Sequence, residues 1–117
     1  MIKLIVAIRK REDMSVEDFQ NHWRTNHASL VKSNPATSRY IRKYVQCHTL
    51  PEQYADGEAA FDGTAEIWFD SIEDKDAFFS DPDYLREVQP DEARFADMSR
   101  TVFFVTQEES VIDRTKA

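Results

Sequence analysis

The chain has 117 residues, enough for one domain with one core and too few for two. Hydrophobic residues make up 41% and charged residues 32%, with only 2 glycines and 4 prolines, which is a globular composition and excludes linker-rich, disordered or fibrous chains. The net charge of −7 (22 acidic, 15 basic) repels phosphates and argues against nucleic acid and anionic lipid as partners, and no positive stripe with interleaved aromatics offsets it.

The first element is a short β-branched run, Ile2 to Arg9, which predicts a strand. Its apolar stretch from Leu4 to Ile8 is too short for a signal peptide and lacks a small-residue cleavage site. No run approaches the roughly 20 apolar residues that cross a bilayer. Lys10 to Asp13 make a charged turn into the first helix, where Ser15 is the N-cap and Asp18 its capping-box partner. Met14 and Phe19 are spaced as a hydrophobic staple. Val16, Phe19, Gln20, Trp23, His27, Leu30 and Val31 follow at steps of three and four, an inward stripe. At about 100° per residue, Val16, Trp23 and His27 fall within roughly 40° of one another, so His27 is expected near the centre of the buried face. The helix should fade around Lys32, before Ser33, Asn34 and Pro35.

Arg39 to His48 predicts a second strand, with Tyr40, Arg42, Tyr44, Gln46 and His48 on one face and Ile41, Lys43, Val45 and Cys47 on the other. Neither face is purely apolar, so one of them should look into a polar cavity or a subunit contact. Thr49 to Asp62 is a polar, acidic loop, long for so small a domain, and reads either as the lid or mouth of a site or as a surface excursion. Gly63 to Phe69 predicts the third strand, with Ala65, Ile67 and Phe69 opposite Thr64, Glu66 and Trp68. Ser71 and Asp74 repeat the capping-box signature and open a helix with Ile72, Ala77 and Phe78 inward. Asp81-Pro82 ends it and starts a new turn, and Pro90 begins a helix through Phe95 and Met98. Arg100 to Gln107 predicts a fourth strand, and the tail from Glu108 is polar.

The order strand, helix, strand, strand, helix, strand predicts one domain over residues 1–107 with a tail at 108–117. The expected fold is α+β: a ferredoxin-like βαββαβ arrangement of a four-stranded antiparallel sheet with both helices on one face. A helix-free face carrying Trp, Phe and Tyr calls for cover, and a second copy, sheet against sheet in a homodimeric α+β barrel, is the expected remedy.

Among the titratable groups, His27 has the pKa range for proton transfer at neutral pH, though a histidine on an apolar face is more often a satisfied core residue. Tyr40, Tyr44 and His48 share a strand face and could donate to a substrate oxygen, or make the dimer contact. Glu66 could orient His27 or act as a second base, or simply pair with Arg42 or Lys43, and Trp68 could stack on a flat substrate. Cys47 is the only cysteine, so no intrachain disulfide can form and a reducing, cytoplasmic location is expected. As a nucleophile Cys47 lacks a base, because its neighbour His48 should point to the other face. His22 and His27 are five apart, roughly 140° around a helix, which sets them apart for metal binding. No zinc-site spacing, phosphate loop or dinucleotide fingerprint occurs, so neither a metal nor a nucleotide cofactor is expected.

The opening strand, Met-Ser-Val-Glu-Asp-Phe-Gln-Asn-His-Trp-Arg-Thr-Asn-His-Ala from Met14, Arg-Lys-Tyr-Val-Gln from Arg42 and Gly-Thr-Ala-Glu-Ile-Trp-Phe-Asp from Gly63 together resemble the EthD (ethyl tert-butyl ether degradation) family of dimeric α+β barrels. The core of the resemblance is the Phe and Trp followed four residues later by His-Ala. It implies a small homodimer, free of cofactors, whose pocket lies between sheet and helices. It also implies dehydration, isomerisation or cyclisation of an oxygenated aromatic, lactone or polyketide-like small molecule, with His27 as the acid-base residue. Tyr44 and Glu66 are its expected partners, and Trp23, Tyr40, His48, Trp68, Phe78 and Tyr84 are expected to line the substrate. The methylmuconolactone isomerase type adds a cysteine on the third strand, where this chain has Ile67 or a neighbour, and related polyketide cyclases carry a histidine near the Asp81–Tyr84 turn, which this chain lacks. Cofactor-free oxygenation of a phenol, and non-catalytic ligand binding by the same dimer, are the alternatives.

Overall fold

The computed structural model describes residues 1–115. Its sheet holds β1 (Ile2–Ile8), β2 (Ile41–His48), β3 (Gly63–Phe69) and β4 (Val102–Thr106) in the order β2-β3-β1-β4, with all neighbours antiparallel. All helices pack on one face, giving the ferredoxin-like α+β architecture expected. The alternation is clean in β3, where Gly63, Ala65, Ile67 and Phe69 are buried under the helices. In β1 the residues beside them, Leu4, Val6 and Ile8, face the same way.

The first helical segment starts at Ser15, whose Oγ accepts from the Asp18 amide at 3.0 Å. It runs as α1 (Val16–His22), widens into a single π-turn at Trp23–His27, and resumes as α2 (Ala28–Ser33). The Thr25 hydroxyl donates to the Asn21 carbonyl at 2.6 Å at the start of that turn. Such side-chain bonds to the preceding turn loosen a regular α-ladder. Phe19, Trp23, His27 and Val31 are all buried, so the inward stripe survives the change of pitch.

Pro35 opens a helix of its own, α3 (Pro35–Tyr40), and the second strand starts at Ile41 instead of Arg39. The cause is Asn34, which is fully buried. Its Oδ1 caps α3 through the Ala36 amide at 2.9 Å, while its Nδ2 donates to the Asp83 carbonyl and to Glu87. A β-bulge then intervenes: Ile41 pairs with Phe69 and Lys43 with Trp68, leaving Arg42 as the extra residue. Ile41, Tyr44, Gln46 and His48 therefore share the helix side, and the expected common face of Tyr40, Arg42 and Tyr44 does not form.

The second half follows the predicted order with shorter elements. Ser71 caps α4 (Ile72–Ser80), Asp81 caps α5 (Pro82–Glu87), and α6 (Gln89–Phe95) stops at Phe95 and not at Met98, because Ala96 bridges back to Lys10. Ile72 is exposed, a correction to its expected inward placement, while Phe78 is buried. β4 is an edge strand and leaves Val102, Phe103, Phe104 and Val105 all exposed, although it was expected to span Arg100 to Gln107. The helix-free face carries Ile5, Val45, Trp68 and Phe104, with Lys3, Lys43 and Glu66 among them, but no tyrosine.

The long loop is pinned down. It contains a 3-10 turn at Pro51–Tyr54, and Asp62 accepts from the Lys10 amide at 2.8 Å and from the Tyr54 hydroxyl at 2.6 Å. The Arg9 guanidinium bonds the Ala59 and Ala60 carbonyls and Glu58. Among the described residues no helix is long and apolar enough to cross a membrane. Of the tail, Glu108 accepts from the Trp68 indole; Lys116 and Ala117 lie outside the described residues.

Candidate active site

The helices and the sheet enclose a cavity of about 60 Å³, several times the ~10–15 Å³ that a single water needs. Its walls are mostly hydrocarbon, from Val6, Ile8, Trp23, Ile67, Phe78 and Phe95 among others, and its lining includes Met98 and Phe103, both exposed. Six of its described lining residues carry an N–H, O–H or carboxyl group on the side chain: Trp23, His27, Tyr44, Tyr84, Glu92 and Thr101.

His27 is brought there by the π-turn and is only 6% exposed. Its Nδ1 lies 2.9 Å from Oδ2 of Asp91, which is fully buried on α6. A carboxylate can only accept, so Nδ1 carries a proton, and the neutral ring keeps its lone pair on Nε2, the atom on the opposite edge. Burial pulls the His27 pKa below the ordinary imidazole value and outweighs the opposing pull of Asp91. The ring is therefore neutral at pH 7.

Asp91 is held from several sides. His22 Nε2 donates to it at 2.9 Å, the Asn26 amide at 3.1 Å and Arg94 at 3.2 Å, with Phe95 packed against both imidazoles. Burial alone would raise its carboxyl, but the hydrogen bonds from His27, His22 and Arg94 win and hold it below the usual carboxylate range. His22 and His27 thus converge on one carboxylate. That corrects the separation of roughly 140° expected from an α-helix, since an i→i+5 turn stacks residues five apart.

Glu92, the next residue, lines the cavity, and burial pushes its carboxyl up to about 7, with Asp91 adding to the rise and Tyr84 opposing it. The Tyr84 hydroxyl donates to Glu92 Oε2 at 2.6 Å. Tyr44 lines the wall from β2; its phenol is pushed up by burial, and its oxygen accepts a 3.4 Å bond from Gln46. Thr101 is spoken for, accepting from the Arg9 amide and donating to the Asp97 carbonyl.

Of the residues singled out in the sequence, the cavity brings together His27, Tyr44, Trp23, Phe78 and Tyr84. The others lie elsewhere. Glu66 and Trp68 point to the opposite face of the sheet, where Glu66 pairs with Lys3 at 2.9 Å and Lys3 and Lys43 sit over the Trp68 ring. Lys3 holds the Glu66 carboxyl low, so it is neither near His27 nor suited to be a base. Tyr40 ends α3 and does not reach the cavity. His48 is screened from it by Trp23, whose ring is 4.4 Å away, and its buried Nδ1 has no partner among the described residues. Cys47 shares the far face with Glu66, as the alternation requires. The loop 49–62 contributes nothing to the cavity wall.

Asp91 and Glu92 were not singled out in the sequence. An acidic pair after Pro90 is ordinary chemistry for a helix N-terminus, and nothing in the local pattern separates these two from Glu73 and Asp74 on α4.

Residues 11–99 match the EthD domain model. The chain is 26% identical to "Dehydratase aurZ" of Gibberella zeae over 99% of this chain and 82% of that one. It is 28% identical to "Dehydratase CTB10" of Cercospora beticola over 82% and 80%. Among solved structures, an ethyl tert-butyl ether degradation (EthD) family protein from Bacillus halodurans C-125 superposes with a TM-score of 0.69 at 21% identity, covering 93% of this chain and 99% of that chain. A dimeric ferredoxin-like protein of unknown function from Bacteroides fragilis superposes with a TM-score of 0.67 at 18% identity, covering 92% and 95%. The match spans most of the chain, including both histidines and the carboxylate between them: this protein belongs to the EthD domain family.

Proposed function

We propose that the protein is a dehydratase-type lyase acting on a small ring compound that carries a hydroxyl β to a carbonyl. The observation that carries this reading is the pairing, in one apolar cavity, of a neutral imidazole oriented by a buried carboxylate with a carboxyl whose pKa is about 7. Nε2 of His27 takes the proton α to the carbonyl, and the released electron pair forms the carbon–carbon double bond. The β C–O bond breaks, and its oxygen leaves as water with the proton of Glu92. Tyr44 donates to the carbonyl oxygen as negative charge builds there. The proton gained by His27 returns to Glu92 through water to close the cycle. The two dehydratase relatives support the reaction class.

The test is incubation with cyclic β-hydroxy ketones in deuterated water. Growth of a conjugated enone, with deuterium entering the α position of recovered substrate, is expected. Oxygen consumption without water loss overturns the reading in favour of oxygenation. The profile of kcat/KM against pH should be a bell: activity rises as His27 loses its proton, below the ordinary imidazole range, and falls as Glu92 loses its own through about 7.

Glu92→Gln should remove the falling limb and lower kcat by roughly 10²-fold. It should also raise the melting temperature at pH 8 but not at pH 5. A carboxyl whose folded pKa is raised contributes fully below its unfolded value and loses that contribution as pH climbs through about 7. A thermal melt at the two pH values checks the sign.

The reading includes a two-fold homodimer packed sheet to sheet. Ile5, Val45, Trp68 and Phe104 form the apolar part of the helix-free face, β4 exposes both of its sides, and a neighbour of the same fold is described as dimeric. Phe104→Glu places a charge in the middle of that face and should yield a monomer in sedimentation velocity. A Phe104→Glu protein that still sediments as a dimer sinks this arrangement.

A further inference from the structure

We infer that the cavity selects uncharged guests: its substrate is a neutral hydroxy-ketone, lactone or ester, and carboxylates of the same shape are excluded. This deepens the reading above and rests on it. The geometry points this way because, among the described residues, no lysine or arginine lines the cavity. Arg94 is spent on Asp91, while Lys3 and Lys43 lie on the other side of the sheet over Trp68.

The hydrogen-bond inventory agrees. A carboxylate offers acceptor sites only and needs several donors or a cation to offset the loss of its water. Thr101 has its hydroxyl committed to Asp97, and Tyr84 has its own committed to Glu92. Among the described residues that leaves the Tyr44 hydroxyl, the Trp23 indole N–H and the Glu92 proton as donors, and the last of these is lost above pH 7. Nε2 of the neutral His27 ring is a further acceptor, turned against any anion. A carbonyl and a hydroxyl on one ring match this set: the carbonyl takes the Tyr44 donor, and the hydroxyl oxygen takes the proton of Glu92. A second negative charge beside Glu92, with no compensating cation, costs much more than its ring burial returns.

The test compares 2′-hydroxyacetophenone with salicylate, which share a ring and its ortho hydroxyl and differ in carrying a ketone or a carboxylate. Calorimetric titration of the intact protein at pH 8 should give at least tenfold tighter binding of the ketone. The indole signal of Trp23, in the cavity wall, should move while that of Trp68 stays. Glu92→Gln should narrow the gap by strengthening salicylate binding, since it removes the repulsion. Salicylate binding as tightly as the ketone, binding that moves Trp68 instead of Trp23, or no binding of either compound overturns the inference. Tight ketone binding with no dehydration of any β-hydroxy ketone leaves the selectivity standing and removes the dehydratase reading. Turnover of a free carboxylic acid does the reverse.

Discussion

Replacing His27 with Gln is expected to lower kcat by about 10²–10⁴-fold, the range a positioned general base supplies, while the protein remains folded. Glutamine can still donate to Asp91 from its amide, so the buried carboxylate keeps a partner at that oxygen and His22, Asn26 and Arg94 keep theirs. What is lost is the lone pair facing the cavity. Asp91→Asn tests the other half of the pair. It leaves the shape intact but removes the charge on which four side chains converge, so both kcat and the melting temperature should fall. Circular dichroism and single-turnover rates separate the two effects. A His27→Gln protein that turns over substrate at the wild-type rate rules out the imidazole as the base.

The largest effect on stability is expected at Gly63. A methyl group placed on its Cα would lie 2.6 Å from the Cys47 carbonyl oxygen and 2.6 Å from the Trp23 ring. Neither can retreat at low cost, because the carbonyl belongs to the paired strand β2 and the indole is buried against Phe19 and His48. Gly63→Ala should therefore destabilise the fold by about 2–4 kcal/mol, at or above the usual range for overpacking. For a domain of this length that corresponds to roughly a 10 °C drop in melting temperature. Since the same indole walls the cavity, the variant should also bind guests more weakly than its loss of stability explains. Urea titration with an unchanged slope and a lower midpoint is the expected signature.

The caps and the alternation were legible from the residues alone. Ser15, Ser71 and Asp81-Pro82 start helices where their side chains can accept amide protons, and β3 could be read residue by residue because every second position is apolar. The far placement of Glu66 and Trp68 follows from the same alternation, once it is known which face the helices cover. What could not be read was whatever breaks a period. The Arg42 bulge shifts the parity of β2, and the Asn34 cap turns an expected break and strand start into a helix. The partner of His27 was invisible for another reason: Asp91 lies 64 residues away in sequence, on a short helix whose acidic start looks like any other.

The wide turn at Trp23–His27 makes residue count inside one helix a property of the site. Losing one residue there would leave a helix that is, if anything, more regular, with its caps and packing stripe nearly unchanged. It would nonetheless swing one imidazole away from Asp91 and out of the cavity. A one-residue deletion in the 49–62 segment would leave the cavity wall untouched, since none of that segment lines it. Among relatives of this chain, the five-residue interval between the two histidines is therefore the spacing to inspect before a catalytic role is carried from one member to another.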